Sequence, residues 1–211
     1  MLLVTRPNHD NATNYLYFWS KQIIDEAVKK GIKVLDLNGS KSNRKLLLSY
    51  TKKHNPKILF FNGHGSEDSI CGYNDEVLLD NSHNFVNFKD SIIVSRSCRS
   101  AAVLGVFLVK NGLKTFIGYI NNYIVKISKR KITDPLKDKI ASLYLEPSNL
   151  IVTTLLKGRT AIEADNRSKK ILLTNLNKVL SSNSNDKEDI ARWLYHDYCS
   201  QVVIGDINGK L

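Results

Sequence analysis

Residues 60–65 read "FFNGHG", an apolar run that stops on a histidine held between two glycines. Residues 92–98 read "IIVSRSC", a second apolar run that stops on Cys98. Neither run alternates polar with apolar residues, which is the pattern of strands buried on both faces of a parallel sheet. The spacing upstream agrees. "MLLVT" (1–5) and "IKVLDL" (32–37) read as strands. Between them, Tyr15, Trp19, Ile23 and Ala27 recur every fourth residue, which predicts a helix over 14–30. Thr13 or Asn14 is the expected cap of that helix, and Gly31 its left-handed stop. A second helix is expected over 41–54, ending before Pro56.

Downstream, residues 66–90 break the rhythm with polar turns around two short β-like pieces. An insertion of that kind commonly walls a site. A helix over 101–111, stopped by Gly112, and a strand over 114–119 follow. Strands separated by helices imply an α/β fold, a mostly parallel sheet of about six strands with helices on both faces. The last third reads as helices near 134–145, 147–157, 160–181 and 186–197, then a strand over 201–206. With no repeat and no linker composition, residues 1–211 read as a single domain.

Composition bounds the function. At 42% hydrophobic and 24% charged residues the chain is an ordinary globular protein, with no apolar run near the ~20 residues of a membrane helix. Arg6 and Pro7 come too early for a signal peptide, so a cytoplasmic protein is expected. The three cysteines, Cys71, Cys98 and Cys199, form neither an even framework nor a CxxC pair, which argues against disulfides and zinc ribbons. The net charge of +11 admits an acidic partner. The basic residues are dispersed apart from "KISKRK" (126–131), and no aromatic-interleaved basic motif is present. Nucleic acid is therefore not the expected partner.

In a parallel sheet, reactive groups gather at the carboxyl ends of strands. If the strands carrying His64 and Cys98 are neighbours, their ends lie about 5 Å apart. That placement suits a cysteine nucleophile with a histidine base. Gly63 and Gly65 allow a sharp turn, and the amides of Gly65 and Cys98 are candidate oxyanion donors, worth about 3–4 kcal/mol each when preorganised. A helix start after Cys98, with Arg96 and Arg99, is expected to lower the thiol pKa. The alternatives are ordinary: a hydrogen-bonded structural histidine and an inert buried cysteine.

"FFNGHGSEDSICGYNDEVLLD" (60–80) and "SIIVSRSCRSAAVLGVFLVKNGLKTFIGY" (91–119) together resemble the His and Cys segments of caspase-like cysteine peptidases. The prokaryotic caspase-like and CHAT-type proteases are the nearer group, gingipains and caspases the more distant. "HDNATNYLYFWSKQI" (9–23) resembles the entry to the first helix, and "VVIGD" (202–206) a terminal strand of such proteins. The resemblance implies a three-layer α/β/α sandwich and a cysteine endopeptidase with His64 as base and acid and Cys98 as nucleophile. Gly65 and Cys98 would supply oxyanion amides, and neither metal nor organic cofactor is called for. The His need not bond tightly to the Cys at rest. A protein substrate, control by a regulatory partner and a role in prokaryotic defence or cell death are implied by analogy. An idle interaction module of the same fold and a basic nucleic-acid-binding protein are the alternatives.

In that family the residue two before the nucleophile lines the specificity pocket, here Arg96, with Arg6 as a second candidate. Both favour substrates with Asp or Glu before the cut. Asp10, Glu67 and Asp68 also lie near strand ends and would favour Arg or Lys instead. His9 and Asp10 are read as a site rim or a turn capping the first helix. Cys71 is read as cleft-facing or simply half-buried, His196 and Cys199 as packing, and Trp193 and Tyr198 as core or interface aromatics. "KISKRK" is read as a solvated face, an activation loop or a docking patch.

Overall fold

The computed structural model describes residues 1–82 and 88–211. The reading of residues 66–90 as an insertion therefore runs across residues 83–87, which lie outside the described residues. The strands are β1 (Leu2–Arg6), β2 (Val34–Asn38), β3 (Ile58–Asn62), β4 (Ser69–Cys71), β5 (Val77–Asp80), β6 (Ile92–Arg96), β7 (Thr115–Tyr119) and β8 (Gln201–Gly205). The helices are α1 (Asn11–Lys29), α2 (Arg44–His54), α3 (Leu104–Lys110), α4 (Lys139–Leu155), α5 (Ala161–Leu180) and α6 (Lys187–Ser200).

Six strands form one sheet in the order β2-β1-β3-β6-β7-β8, parallel except for β8, which runs antiparallel to β7. Every residue of β1, β3, β6 and β7 is buried, as their unbroken apolar runs require. Alternate residues feed two cores. Leu2, Val4, Ile58 and Phe60 face α1, α4 and the start of α5. Leu3, Leu59, Phe61 and Ile93 face α2, α3 and the β4–β5 hairpin. The expected α/β fold, with helices on both faces of a mostly parallel sheet, is what the chain adopts.

Three local expectations need correction. The cap of α1 is Asp10, three residues before Thr13. Its carboxylate accepts from the Thr13 amide while Thr13 returns a bond to the Asp10 backbone, a reciprocal capping box. The helix after Cys98 begins only at Leu104, because Arg99 takes a left-handed conformation (φ 55°) and breaks the first turn. The two helices expected over 134–145 and 147–157 are one, α4, running through Pro147. Proline removes the donor that the Leu143 carbonyl would accept. The Asn175 side chain on α5 replaces it, donating to that carbonyl at 2.8 Å. Asn175→Ala should therefore cost about 1–2 kcal/mol of stability, read by urea unfolding, through a carbonyl left without its partner.

Candidate active site

β3 and β6 are hydrogen-bonded neighbours, and their last residues, Asn62 and Arg96, are in register. His64 and Cys98 each follow two residues later, so the two side chains leave the sheet at the same level and edge. The segments then touch. A Cβ built on Gly65 would lie 2.8 Å from the Ser97 Cβ and 3.4 Å from the Cys98 carbonyl oxygen. The Glu67 carbonyl accepts from the Leu104 amide at 2.8 Å, tying the loop after His64 to the helix after Cys98.

Gly63 has φ 146°, and a Cβ there would lie 2.5 Å from the Cys71 carbonyl oxygen. Gly63→Ala should cost about 1–3 kcal/mol in chemical denaturation, since neither the dihedral nor the backbone contact can relax cheaply. Hydrogen bonds from Cys71 N–H to the His64 carbonyl and from Ser66 N–H to the Ser69 carbonyl flank Gly65. This is the non-hydrogen-bonded pairing of an antiparallel bridge with Ile70, so the Gly65 amide points away from β4.

His64 Nε2 donates to Asp10 Oδ2 at 2.5 Å. The other carboxylate oxygen accepts from the Thr13 amide and hydroxyl, both at 2.7 Å. One carboxylate thus caps α1 with one oxygen and holds the imidazole with the other. Burial pushes the Asp10 carboxyl up, but the bonds from His64 and Thr13 outweigh it and hold it down at about 2. Asp10 is ionised at neutral pH. With Nε2–H committed to it, Nδ1 is the basic nitrogen of His64.

His64 and Cys98 line the same cavity of about 340 Å³. Its walls come from the first turns of α1 (Thr13, Tyr15, Leu16) and from the segment after β7 (Tyr123, Val125, Ile127). A larger groove of about 630 Å³, beside Lys131 and Lys137, includes neither His64 nor Cys98. The Cys98 thiol donates to the Tyr123 carbonyl at 3.8 Å. Burial is the main influence on it and pushes its pKa up, contrary to the lowering expected from a helix start and two arginines. α3 starts too late to act on the thiol and Arg96 is directed elsewhere, while Arg99 does pull the pKa down as expected but is outweighed by burial.

Arg96 is 1% exposed. Nε donates to Asn62 Oδ1 at 2.7 Å, and Nη1 donates to Asn149 Oδ1 at 3.0 Å and Ser148 Oγ at 3.3 Å. The guanidinium lies 4.6 Å from the Phe60 ring centroid. All these acceptors are neutral, and Nη2 has no hydrogen-bond partner among the described residues. Burial lowers the Arg96 pKa only to about 10, so the cation persists.

Arg6 is not among the cavity residues. It forms a two-point ion pair with Asp36 (2.8 and 2.6 Å), donates to the Tyr17 carbonyl and stacks on the Tyr17 ring. Asp68 accepts from Ser66 Oγ at the surface, and neither it nor Glu67 lines the cavity. Cys71 is half-buried in β4, Cys199 is exposed, and all three cysteines are free thiols. His196 Nε2 bonds to the Asn122 carbonyl at 2.8 Å. Within "KISKRK", Lys126 pairs with Asp189 at 2.6 Å. Sequence reasoning missed the wall formed by residues 123–127 and the His64–Asp10 bond. The pattern Asp10-x-x-Thr13 was a readable signal for the latter, because it fixes where that carboxylate must sit.

No family model matches the chain, and no curated protein does. Solved structures do. The complex of pro- and mature domains of RgpB from Porphyromonas gingivalis superposes with a TM-score of 0.60 at 12% identity, covering 100% of this chain and 48% of that one. The Arg-specific cysteine proteinase gingipain R (RgpB) gives 0.55 at 12% identity, with 100% and 46% covered. The chain has the gingipain fold. It spans about half the length of those two chains, and at this identity the likeness to gingipain R extends to the fold alone. Among the described residues no helix is long and apolar enough to cross a membrane.

Proposed function

We propose that the chain is a cysteine endopeptidase acting on a protein substrate, with Cys98 as nucleophile, His64 as base and acid, and Asp10 holding His64. What carries this reading is the registered β3–β6 pair, which delivers an imidazole and a thiol to one cavity. A half-buried thiol with a raised pKa is protonated at rest. His64 Nδ1 takes its proton as sulfur attacks the substrate carbonyl, and the oxyanion meets the amides of Gly65 and Cys98. The imidazolium, stabilised by Asp10, then protonates the leaving amine. Water, deprotonated by the same imidazole, hydrolyses the thioester.

The substrate preference is for Asp or Glu before the cut. Among the described residues the cavity lining holds one guanidinium and no carboxylate, and Nη2 of Arg96 lacks a partner that a substrate carboxylate supplies. Gingipain R, Arg-specific, has the opposite preference. A fluorogenic peptide library varied at the residue before the cut tests this. Turnover confined to Asp and Glu is expected, and a preference for Arg or Lys overturns it.

The resting thiol has a further consequence. Iodoacetamide, which needs a thiolate but no substrate recognition, should alkylate exposed Cys199 faster than half-buried Cys98. Peptide mapping after brief exposure at pH 7.5 reads the order; faster alkylation of Cys98 would mean a preformed thiolate.

A further inference from the structure

Beside the cavity, three side chains converge that the peptidase chemistry leaves unused or only half used. His9 follows β1, His64 follows β3, and Asp75 ends the turn joining β4 to β5. Ligand atoms from all three lie within 4.8 Å of one another. His9 Nε2 is 3.4 Å from Asp75 Oδ1, and the His9 and His64 ring centroids are 5.9 Å apart at 69°. The His9 side chain is only 11% exposed, and both its ring nitrogens are buried with no hydrogen-bond partner among the described residues. Buried polar atoms without partners cost stability unless something completes them. Asn74 and Asp75 both take left-handed backbone conformations (φ 51° and 58°), which aims Asp75 back at His9.

We propose that His9, His64 and Asp75 form a binding site for one Zn²⁺ ion, which occupies His64 and so switches the enzyme off. Two imidazoles and a carboxylate are a borderline donor set suited to zinc, with a water completing four-coordination. Tetrahedral bonds of about 2.0–2.1 Å put ligand atoms roughly 3.3–3.5 Å apart, so closure draws the atoms in by up to about 1.4 Å from their present spacing within 4.8 Å. Asp10 supplies the carboxylate behind a ligating imidazole that fixes its tautomer. The same Nδ1 lone pair cannot serve both Cys98 and a metal, so zinc and catalysis exclude one another. The site stands on geometry alone; the switching role rests on the peptidase reading.

Isothermal calorimetry with zinc chloride and chelator-stripped protein at pH 7.5 tests the site. One ion per chain is expected. His9→Ala and Asp75→Asn should each weaken binding by more than the ~10- to 100-fold that loss of an outer partner costs. Cys98→Ala should leave it unchanged. Zinc that binds wild type and both ligand variants alike, or is lost only with Cys98, overturns the site, as does absence of saturable binding. In a second arm, zinc should inhibit peptide cleavage by wild type at concentrations that spare His9→Ala and Asp75→Asn; equal inhibition of all three overturns the switch. The expected calorimetric pattern in a chain that cleaves no peptide upholds the site and refutes the peptidase reading alone.

Discussion

Asp10→Asn is expected to lower kcat/KM on an Asp- or Glu-containing peptide by about 10²- to 10⁴-fold while leaving the fold intact. Asparagine caps helices as well as aspartate does, so the bond from the Thr13 amide survives and α1 keeps its start. What changes is the atom facing His64. An amide NH₂ in place of Oδ2 donates where the carboxylate accepted, so His64 Nε2 must carry the lone pair and Nδ1 the proton. The base then presents a hydrogen to the thiol instead of a vacancy, and the imidazolium loses its counter-charge. Asp10→Ser separates the two roles, since serine keeps the cap and supplies no charge. Steady-state kinetics with thermal unfolding alongside reads the result. Near-normal kcat/KM in both folded variants would remove Asp10 from the mechanism.

Arg96→Gln is expected to lower kcat/KM for Asp- and Glu-containing substrates by about 10²-fold, from the ~3 kcal/mol of a charged, desolvated hydrogen-bonded pair. Peptides with a neutral residue before the cut should change far less. Arg96 is a cation enclosed by neutral oxygens, with Nη2 unserved. A buried charge without a counter-ion is costly, and a substrate carboxylate is the group that completes it. Glutamine can still donate to Asn62 or Asn149, which limits loss of packing. The discriminating quantity is the ratio of kcat/KM for Glu- and Gln-containing peptides. An unchanged ratio would show that Arg96 does not read the substrate.

The central strands β1, β3, β6 and β7 were legible because they are fully buried, so their sequences carry little competing polar pattern. "ILFFN" and "IIVSR" end where β3 and β6 end. The neighbourhood of those two strands could be stated only as a condition, because register is set by pairing across the sheet and leaves no local mark. Pro147 misled for a related reason. The break it implies is offset by Asn175, more than twenty residues away in sequence. Arg6 and Arg96 look alike as strand-end arginines, yet one meets Asp36 on the adjacent strand and the other meets only neutral groups. The raised thiol pKa of Cys98 was hidden because burial is a property of the surroundings, and the wall at residues 123–127 had no motif to announce it.

The most direct test of the joint action of His64 and Cys98 is covalent capture. Wild type and His64→Ala are treated with a peptidyl ketone inhibitor carrying Asp next to its electrophile, then analysed by intact mass and peptide mapping. One adduct per chain, on Cys98 in wild type and absent in His64→Ala, is the expected result. Adducts shared evenly among Cys71, Cys98 and Cys199, or capture at Cys98 undiminished without His64, would contradict it.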